Sequence, residues 1–302
     1  MTKKDTHSLV SLITVNYNQA AMTLEFLEAM EKLTYPNLEI IVVDNASKEN
    51  PEKAIKEKYP DTIVIVSDEN LGFAGGNNLG VVRSSGEFVF FVNNDITITE
   101  DAIERILEIY DEYPDAGVVS PKFHYYYRPG IIEYAGYHPV NAFTARNVPV
   151  GGQEEDKGQH ENVISTHYAH GGGMMVSRKV IDTVGMMPEL YFLYYEEFDW
   201  CESIKKAGFK IYYQPKATIY HKSSETVGKV SRVRTYYLNR SRILFMRRNV
   251  KYPKFLFFVF YFTFATYPVN VLRFLLKGDF GHIVSFNKAV LWNLGFKAMS
   301  TP

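Results

Sequence analysis

Cysteine is almost absent: the 302 residues hold one, Cys201. That excludes an internal disulfide and any cysteine-based zinc site, and it suits a reducing cytoplasm. The N-terminus is polar up to Ser8, and residues 9–15 are too short an apolar run for a secretory signal, so none is expected. The glycine-rich stretch 72–76 has no Gly-Lys-Ser/Thr after it, which excludes a P-loop, and it does not fit the Gly-x-Gly-x-x-Gly of dinucleotide sites. No basic, glycine-rich pyrophosphate loop stands near the N-terminus, which argues against a nucleotidyltransferase. Internal repeats and low-complexity linkers are missing too. Net charge is only −1, but by cancellation. Residues 230–302 carry twelve Lys/Arg against one acid, Asp279, a net +11, while the first 229 carry −12. Regions of opposite sign imply two jobs, and the basic one calls for an anionic surface or ligand.

What is present supports a sizeable core: 46% of residues are hydrophobic and 22% charged. Leu9-Val10-Ser11-Leu12-Ile13-Thr14-Val15 is an apolar run ending in Asn16-Tyr17-Asn18. Leu38-Glu39-Ile40-Ile41-Val42-Val43 ends in Asp44-Asn45-Ala46-Ser47, and Phe88-Val89-Phe90-Phe91-Val92 stops at Asn93-Asn94-Asp95. A further strand is predicted over 63–67, with helical patterns at 24–33, 53–59 and 100–113. Strands alternating with helices at this spacing predict an α/β fold on a doubly wound, mostly parallel, Rossmann-like sheet. Residues 121–165, rich in Tyr, Pro and Gly, predict hairpins or an excursion over the site. Strands are then expected at 164–169 and 174–176, a helix over 195–207, a strand pair at 210–214 and 217–221, and a long basic helix over 230–249.

Ligands of open α/β sheets sit beyond the carboxyl ends of the strands. Asp95 lies there, and its carboxylate beside amide oxygens offers hard ligands for Mg²⁺ or Mn²⁺, which in turn hold a diphosphate. The same Asn-Asn-Asp also fits a strand-ending turn and a cap for the helix at 100–113. Asp44, near Asn16 and Asn18, suits a uracil-type base or a ribose hydroxyl because it only accepts; Asp-Asn-Ala-Ser equally makes an N-cap. The 72–76 glycines allow close approach to a phosphate or sugar, with Asn77 and Asn78 bonding hydroxyls, and a tight turn explains them nearly as well.

Taken in succession, Val15-Asn16-Tyr17-Asn18, Val42-Val43-Asp44-Asn45-Ala46-Ser47, Leu71-Gly72-Phe73-Ala74-Gly75-Gly76-Asn77-Asn78 and Phe91-Val92-Asn93-Asn94-Asp95 resemble the motifs of family 2 inverting glycosyltransferases. The variants are similar to the rhamnosyltransferase-like branch, and the match covers about residues 8–225. The resemblance implies a GT-A fold, a nucleotide-sugar donor and a divalent metal. It places Asn16, Asn18, Asp44, Asn45, Gly75, Asn77, Asn94 and Gly172 around the donor and Asp95 on the metal, with Asn93 where the family often has an acid. Tyr194-Tyr195-Glu196-Glu197-Phe198-Asp199-Trp200 is similar to the family's acidic motif at a helix start. Glu197 then stands at the base position, with Glu196 and Asp199 in support. Negative charge in a first helical turn also suits the dipole without any catalytic role. His170-Gly171-Gly172-Gly173 offers backbone freedom near the acceptor or diphosphate, and His221 resembles a position that completes the metal shell; lone histidines are also often structural.

Arg240, Arg242, Arg247, Arg248, Lys251 and Lys254 lead into residues 255–272, eighteen without a formal charge, eight of them Phe or Tyr. Pro268 interrupts the run. A basic run beside an aromatic-apolar one is read as attachment to anionic lipid on the cytoplasmic face, ahead of a true span or an oligomer interface. Nucleic acid is not expected, because the basic residues adjoin a greasy segment. The expectation is therefore a GT-A domain at 1–229 (donor half 8–120, acceptor half 121–229) with a helical, membrane-associating extension at 230–302. It transfers a sugar, from dTDP-rhamnose before UDP-sugars, to a lipid-linked or polysaccharide acceptor. The rival from another class is a non-catalytic nucleotide-sugar-binding scaffold at the membrane.

Overall fold

The computed structural model describes residues 7–222 and 231–295. The first half alternates as expected: β1 (Val10–Asn16), α1 (Ala20–Met30), β2 (Leu38–Asp44), α2 (Glu52–Lys58), β3 (Ile63–Val66), α3 (Gly72–Arg83) and β4 (Phe88–Val92). β3, β2, β1 and β4 lie side by side, each pair parallel. Their apolar runs are continuous because both faces are covered. Leu12, Val42 and Phe90 enter one core cluster, while their neighbours Ile13, Ile41 and Phe91 enter the other. Side chains alternate across a strand, so only a run apolar at every position can bury both faces. Each fully buried Phe or Leu stabilises the sheet by about 1.5–3 kcal/mol.

The second half makes the sheet mixed. It contributes β5 (Ile96–Ile98), α4 (Ala102–Glu112), β6 (Ala116–Tyr125), β7 (Ile132–Tyr134), β8 (Ile164–Thr166), β9 (Gly173–Ser177), α5 (Arg178–Val184), α6 (Glu196–Lys206) and β10 (Lys210–His221). β9 inserts antiparallel between β4 and β6; β10 runs parallel to β6 and antiparallel to β5 and β8. The pair expected at 210–214 and 217–221 is one strand, with a register shift between Gln214 and Thr218. Pro215 sits in that shift, where a residue without an N–H is tolerated. Asn94 and Asp95 do form a turn, but it leads into β5 and not into the α4 cap.

The glycines of 72–76 belong to the first turns of α3 instead of preceding it. Gly72 has φ +74° and its α-carbon packs against the Phe192 carbonyl, which accepts a bond from Phe73 N at 2.8 Å. A side chain there meets both a left-handed backbone and a main-chain oxygen.

Beyond the sheet come α7 (Arg232–Asn249), α8 (Tyr252–Tyr261), α9 (Tyr267–Leu276) and α10 (Phe280–Gly295). The boundary expected at 229/230 lies outside the described residues. α7 is no appendage: Leu244, Phe245 and Met246 are buried in the same cluster as Ile13 and Phe91. Three of its arginines are engaged within the protein and so are not free for an anionic surface. Arg240 donates to the Leu190 and Tyr191 carbonyls, Arg247 to the Asn293 carbonyl, and Arg248 pairs with Asp199. Pro268 does not interrupt the next helix. Residues Phe262–Thr266 widen to a π-turn that absorbs the missing N–H, so Tyr252–Leu276 continues for 25 residues. That helix is long and apolar enough to cross a membrane, with a mean hydropathy of 1.6 and 11% of its apolar window buried.

Candidate active site

The carboxyl ends of β1, β2 and β4 meet in a buried polar network. Asn16 Nδ2 donates to Asp44 Oδ1 at 2.6 Å and to Ser47 Oγ at 3.1 Å. Ser47 returns its hydroxyl and its N–H to the Asp44 carboxylate, at 2.6 and 3.0 Å. Thr23 Oγ1 donates to Asn16 Oδ1 at 2.9 Å and accepts from Asn94 Nδ2 at 2.9 Å. Asp44 and Asn16 are fully buried, so both are placed to hold the strand ends in shape. Three of the roughly four acceptor positions of a carboxylate are already used on Asp44. Asn18 and Tyr17 stay exposed beside it, with Asn18 N donating to Ser47 Oγ at 2.7 Å.

The α3 residues are turned inward as well. Asn45 Nδ2 donates to the Gly72 carbonyl at 2.9 Å, and Asn45 Oδ1 accepts from Leu71 N at 2.9 Å. Asn77 donates to Phe73 O, and Asn78 donates to Met187 O and Glu189 Oε1. A Cβ on Gly75 would meet that of Leu71 at 2.6 Å. Free hydroxyl-bonding amides at Asn77 and Asn78 were expected. Burial takes them up inside the protein, where Asn77 bonds back within α3 and Asn78 fastens α3 to the 187–189 segment.

Asp95 sits in a second cluster, assembled by antiparallel pairing. The β10–β5 register sets His221 opposite Ile96, and Lys222 N donates to Asp95 O at 2.8 Å. His221 Nε2 lies 3.4 Å from Asp95 Oδ1, and its Nδ1 is 2.9 Å from Glu133 Oε2 on β7. Ligand atoms of Glu133, His170 and His221 lie within 4.8 Å of one another. Burial disfavours charge on His221, but the two carboxylates outweigh it and hold the imidazolium up to about 10. Burial likewise pushes Asp95 up, and His221 more than offsets it, so its carboxyl ends below the usual range. His170, buried and repelled by His221, is pushed down to about 3 and stays neutral; its Nδ1 accepts from Gly172 N at 3.1 Å.

A divalent cation fits these groups. Asp95 Oδ1 is buried with no hydrogen-bond donor, since 3.4 Å from an imidazole nitrogen is an ion-pair distance and not a formed bond. Glu133 fixes the His221 ring from its far nitrogen, the arrangement that orients metal-binding imidazoles. Asp95 and His221 are the ligands this geometry offers, with His170 alongside, a cation taking the place of the proton on His221 Nε2. Glu133 and the His170 ring were not singled out from the sequence; only their long-range pairing brings them here.

Glu197 lies on the other side of the His170–Gly173 segment. A Cβ on Gly171 would sit 3.5 Å from the Glu197 carboxyl carbon, and one on Gly172 would meet His170 Nδ1 at 3.1 Å and Asn93 Nδ2 at 3.4 Å. Glycine at both positions lets this segment pack closely against Glu197 on one residue and against His170 and Asn93 on the next. Glu197 is half-buried and lines a cavity of about 1210 Å³, whose walls do not include Asp95. Burial pushes Glu197 up to about 7, and pushes the fully enclosed Glu196 well above its usual range with Glu197 adding to it. Of the two, Glu196 is the one burial holds more firmly toward the protonated form. Asp199, 2% exposed, is tied to Arg248 Nε at 3.0 Å and to Asn249, which makes it structural support for α6. The approach to α6 is strained: Phe192, Tyr194 and Tyr195 all have positive φ. Ser241 Oγ donates to Leu193 O at 2.9 Å, and together with Arg240 it staples this loop from α7. Such strain persists only where surrounding contacts impose it.

Comparison with known proteins agrees with this architecture. The family model described as Glycosyl transferase family 2 matches residues 11–185, more than half of the chain. A low-salt glycan biosynthesis hexosyltransferase of Haloferax volcanii is 27% identical over 206 residues, 67% of this chain and 63% of its own length. The chain thus spans less than two thirds of that relative. An N-acetylglucosaminyl-diphospho-decaprenol L-rhamnosyltransferase of Mycobacterium tuberculosis is 21% identical over 73% of this chain and 78% of its own. The mannosyltransferase of Pyrobaculum calidifontis, solved with GDP-Man and Mn²⁺, aligns over 97% of this chain and 77% of that one, at 16% identity and a TM-score of 0.59. That likeness speaks for the fold, which is GT-A. With its motifs at the strand ends and the family model across them, the chain belongs to glycosyl transferase family 2.

Proposed function

We propose that the protein is an inverting, metal-dependent hexosyltransferase acting at the cytoplasmic face of the cell membrane. It moves a sugar from a nucleotide donor to a lipid-linked or polysaccharide acceptor of a cell-surface glycan. The observation that carries this reading is a pair of carboxylates near the His170–Gly173 segment: Asp95, whose buried Oδ1 has no hydrogen-bond donor, and an elevated, cavity-facing Glu197. Asp95 and His221 would hold Mg²⁺ or Mn²⁺, which would supply positive charge for a departing diphosphate. Exposed Asn18 faces the nucleoside, with Asn16, Asp44 and Asn45 holding the strand ends behind it, and Asn94, Gly75, Asn77 and Gly172 shape the walls by packing. Glu197 takes the proton of the acceptor hydroxyl as that oxygen attacks the anomeric carbon and the nucleoside diphosphate leaves. A single displacement with the base opposite the leaving group inverts the centre. The L-rhamnosyltransferase relative favours dTDP-rhamnose as donor, with UDP-sugars next. The exposed Tyr252–Leu276 helix lies in the membrane interface, while α7 packs with the 1–229 catalytic part and the rest of the 230–302 segment serves attachment.

Incubating the full chain with a panel of nucleotide sugars tests this directly. One donor should release nucleoside diphosphate with Mn²⁺ or Mg²⁺ and none in excess EDTA. Since only ionised Glu197 can act, turnover should fall about tenfold per pH unit below about 7 and level off above it. Metal-independent turnover, or a rate flat across pH 5–8, contradicts the reading.

A further inference from the structure

The cavity beside Glu197 has a lining that donor chemistry does not explain. None of Asp95, Glu133, His170 and His221 reaches it, yet five cations do: Arg146 in the segment between β7 and β8, Arg234 and Arg242 on α7, Arg273 on α9, and Lys277 just past it. Among the described residues none of the five takes part in an ion pair, and the acids in the wall are Glu197 and Asp279. Arg242 Nε is buried without a hydrogen-bond partner, an unfavourable state that a ligand's oxygen would complete. The remaining rim is greasy. Leu238 and Phe274 line it, and the adjoining helix exposes Val269, Leu272, Leu275 and Leu276.

We propose that this cavity receives the phosphate-bearing end of a lipid-linked acceptor. The cations grip its phosphate or diphosphate, and its sugar hydroxyl reaches Glu197. Its hydrocarbon chain runs out along α8 and α9. The proposal rests on the reading of Glu197 as base. It adds a second anion site, separated from the donor diphosphate at Asp95 by the glycine segment. The hydroxyl proton passes to the Glu197 carboxylate, the new oxygen–carbon bond forms, and the donor's bond to its diphosphate breaks. Three features point to this occupant over bulk anionic phospholipid. The cations line a cavity and not an open face, the volume of about 1210 Å³ exceeds what a phosphate alone needs, and a carboxylate raised for proton transfer stands in the wall. Arginine forks suit phosphate oxygens in pairs, and desolvation strengthens each contact.

Calorimetric titration of the full chain in detergent with farnesyl diphosphate tests the site without requiring the natural acceptor. Binding is expected, weakened by about tenfold or more in R242Q and in the R234Q/R273Q double variant, the usual loss for a charge-assisted contact. The double variant changes two exposed residues, so it remains decisive if R242Q fails to fold. Unaltered affinity in both variants overturns the proposal. So does equal affinity for phosphatidylglycerol micelles, a membrane-surface patch, or for inorganic pyrophosphate, an anion site with no use for the lipid. Donor hydrolysis measured without acceptor judges the underlying reading separately. Farnesyl diphosphate bound through these cations by a chain that hydrolyses no nucleotide sugar supports the lipid-phosphate site and sinks the transferase assignment. Hydrolysis with farnesyl diphosphate affinity unchanged in both variants does the reverse.

Discussion

Replacing Glu197 by Gln should lower glycosyl transfer by about 10²–10⁴-fold, the range over which a positioned general base contributes. The substitution keeps the side chain's size and its place beside Gly171, and it removes only the ability to take a proton. Donor affinity should therefore hold within a few-fold, because the Asp95 cluster lies across the glycine segment. Initial rates with the identified donor and calorimetric donor binding separate the two effects. A scaffold that merely bound nucleotide sugars would keep its activity in this variant. Glu196→Gln should behave differently. Burial and its neighbour push that carboxyl well above its usual range, so a neutral amide there should disturb the site far less than one at Glu197.

Asp95→Asn should act on the other side of the segment. It removes the only carboxylate in Asn93-Asn94-Asp95, so the metal loses its anionic ligand and the leaving diphosphate its counter-charge. Turnover should drop by about 10²–10³-fold, the usual loss when one electrostatic stabiliser of a developing charge is removed. Mn²⁺ affinity, read by electron paramagnetic resonance, should fall with it. Glu133→Gln should give a smaller loss of metal affinity, about 10–100-fold, because Glu133 acts through the His221 ring. An Asp95→Asn variant with unchanged Mn²⁺ binding places the metal elsewhere.

The parallel half of the fold was legible because its signal is local. Runs such as Phe88-Val89-Phe90-Phe91-Val92 are apolar at every position, and only a strand covered on both faces needs that. The polar residues at their ends marked the site for the same reason. Other parts were written in pairings that no local window holds. β5 is three residues long, too short for periodicity, yet it is what carries His221 to Asp95. Glu133 reaches the cluster through β7, and His170 through the antiparallel β4–β9 register, which sets Val92 opposite Gly173. The polar side chains of Asn45, Asn77 and Asn78 look like ligand contacts in one dimension. In three they satisfy buried main-chain groups, because burying polar backbone without partners costs more than spending an amide on it. The basic helix misled in the same way: charge composition gave its sign but not its direction. Arg240, Arg247 and Arg248 are spent on carbonyls and on Asp199, and Arg240 holds the loop that leads to Glu197 while Arg248 holds the helix that carries it.

The central claim is spatial: a metal-bound diphosphate at Asp95 and a base at Glu197 serve one sugar between them. Crystals soaked with Mn²⁺ and the nucleotide of the identified donor, measured at a wavelength giving anomalous signal from manganese, test it most directly. The account predicts one anomalous peak bonded to Asp95 and His221, with the nucleotide's diphosphate on it and the diphosphate's far end turned toward Gly171 and Glu197. A peak away from Asp95, or a diphosphate seated among Arg234, Arg242 and Arg273, would contradict it.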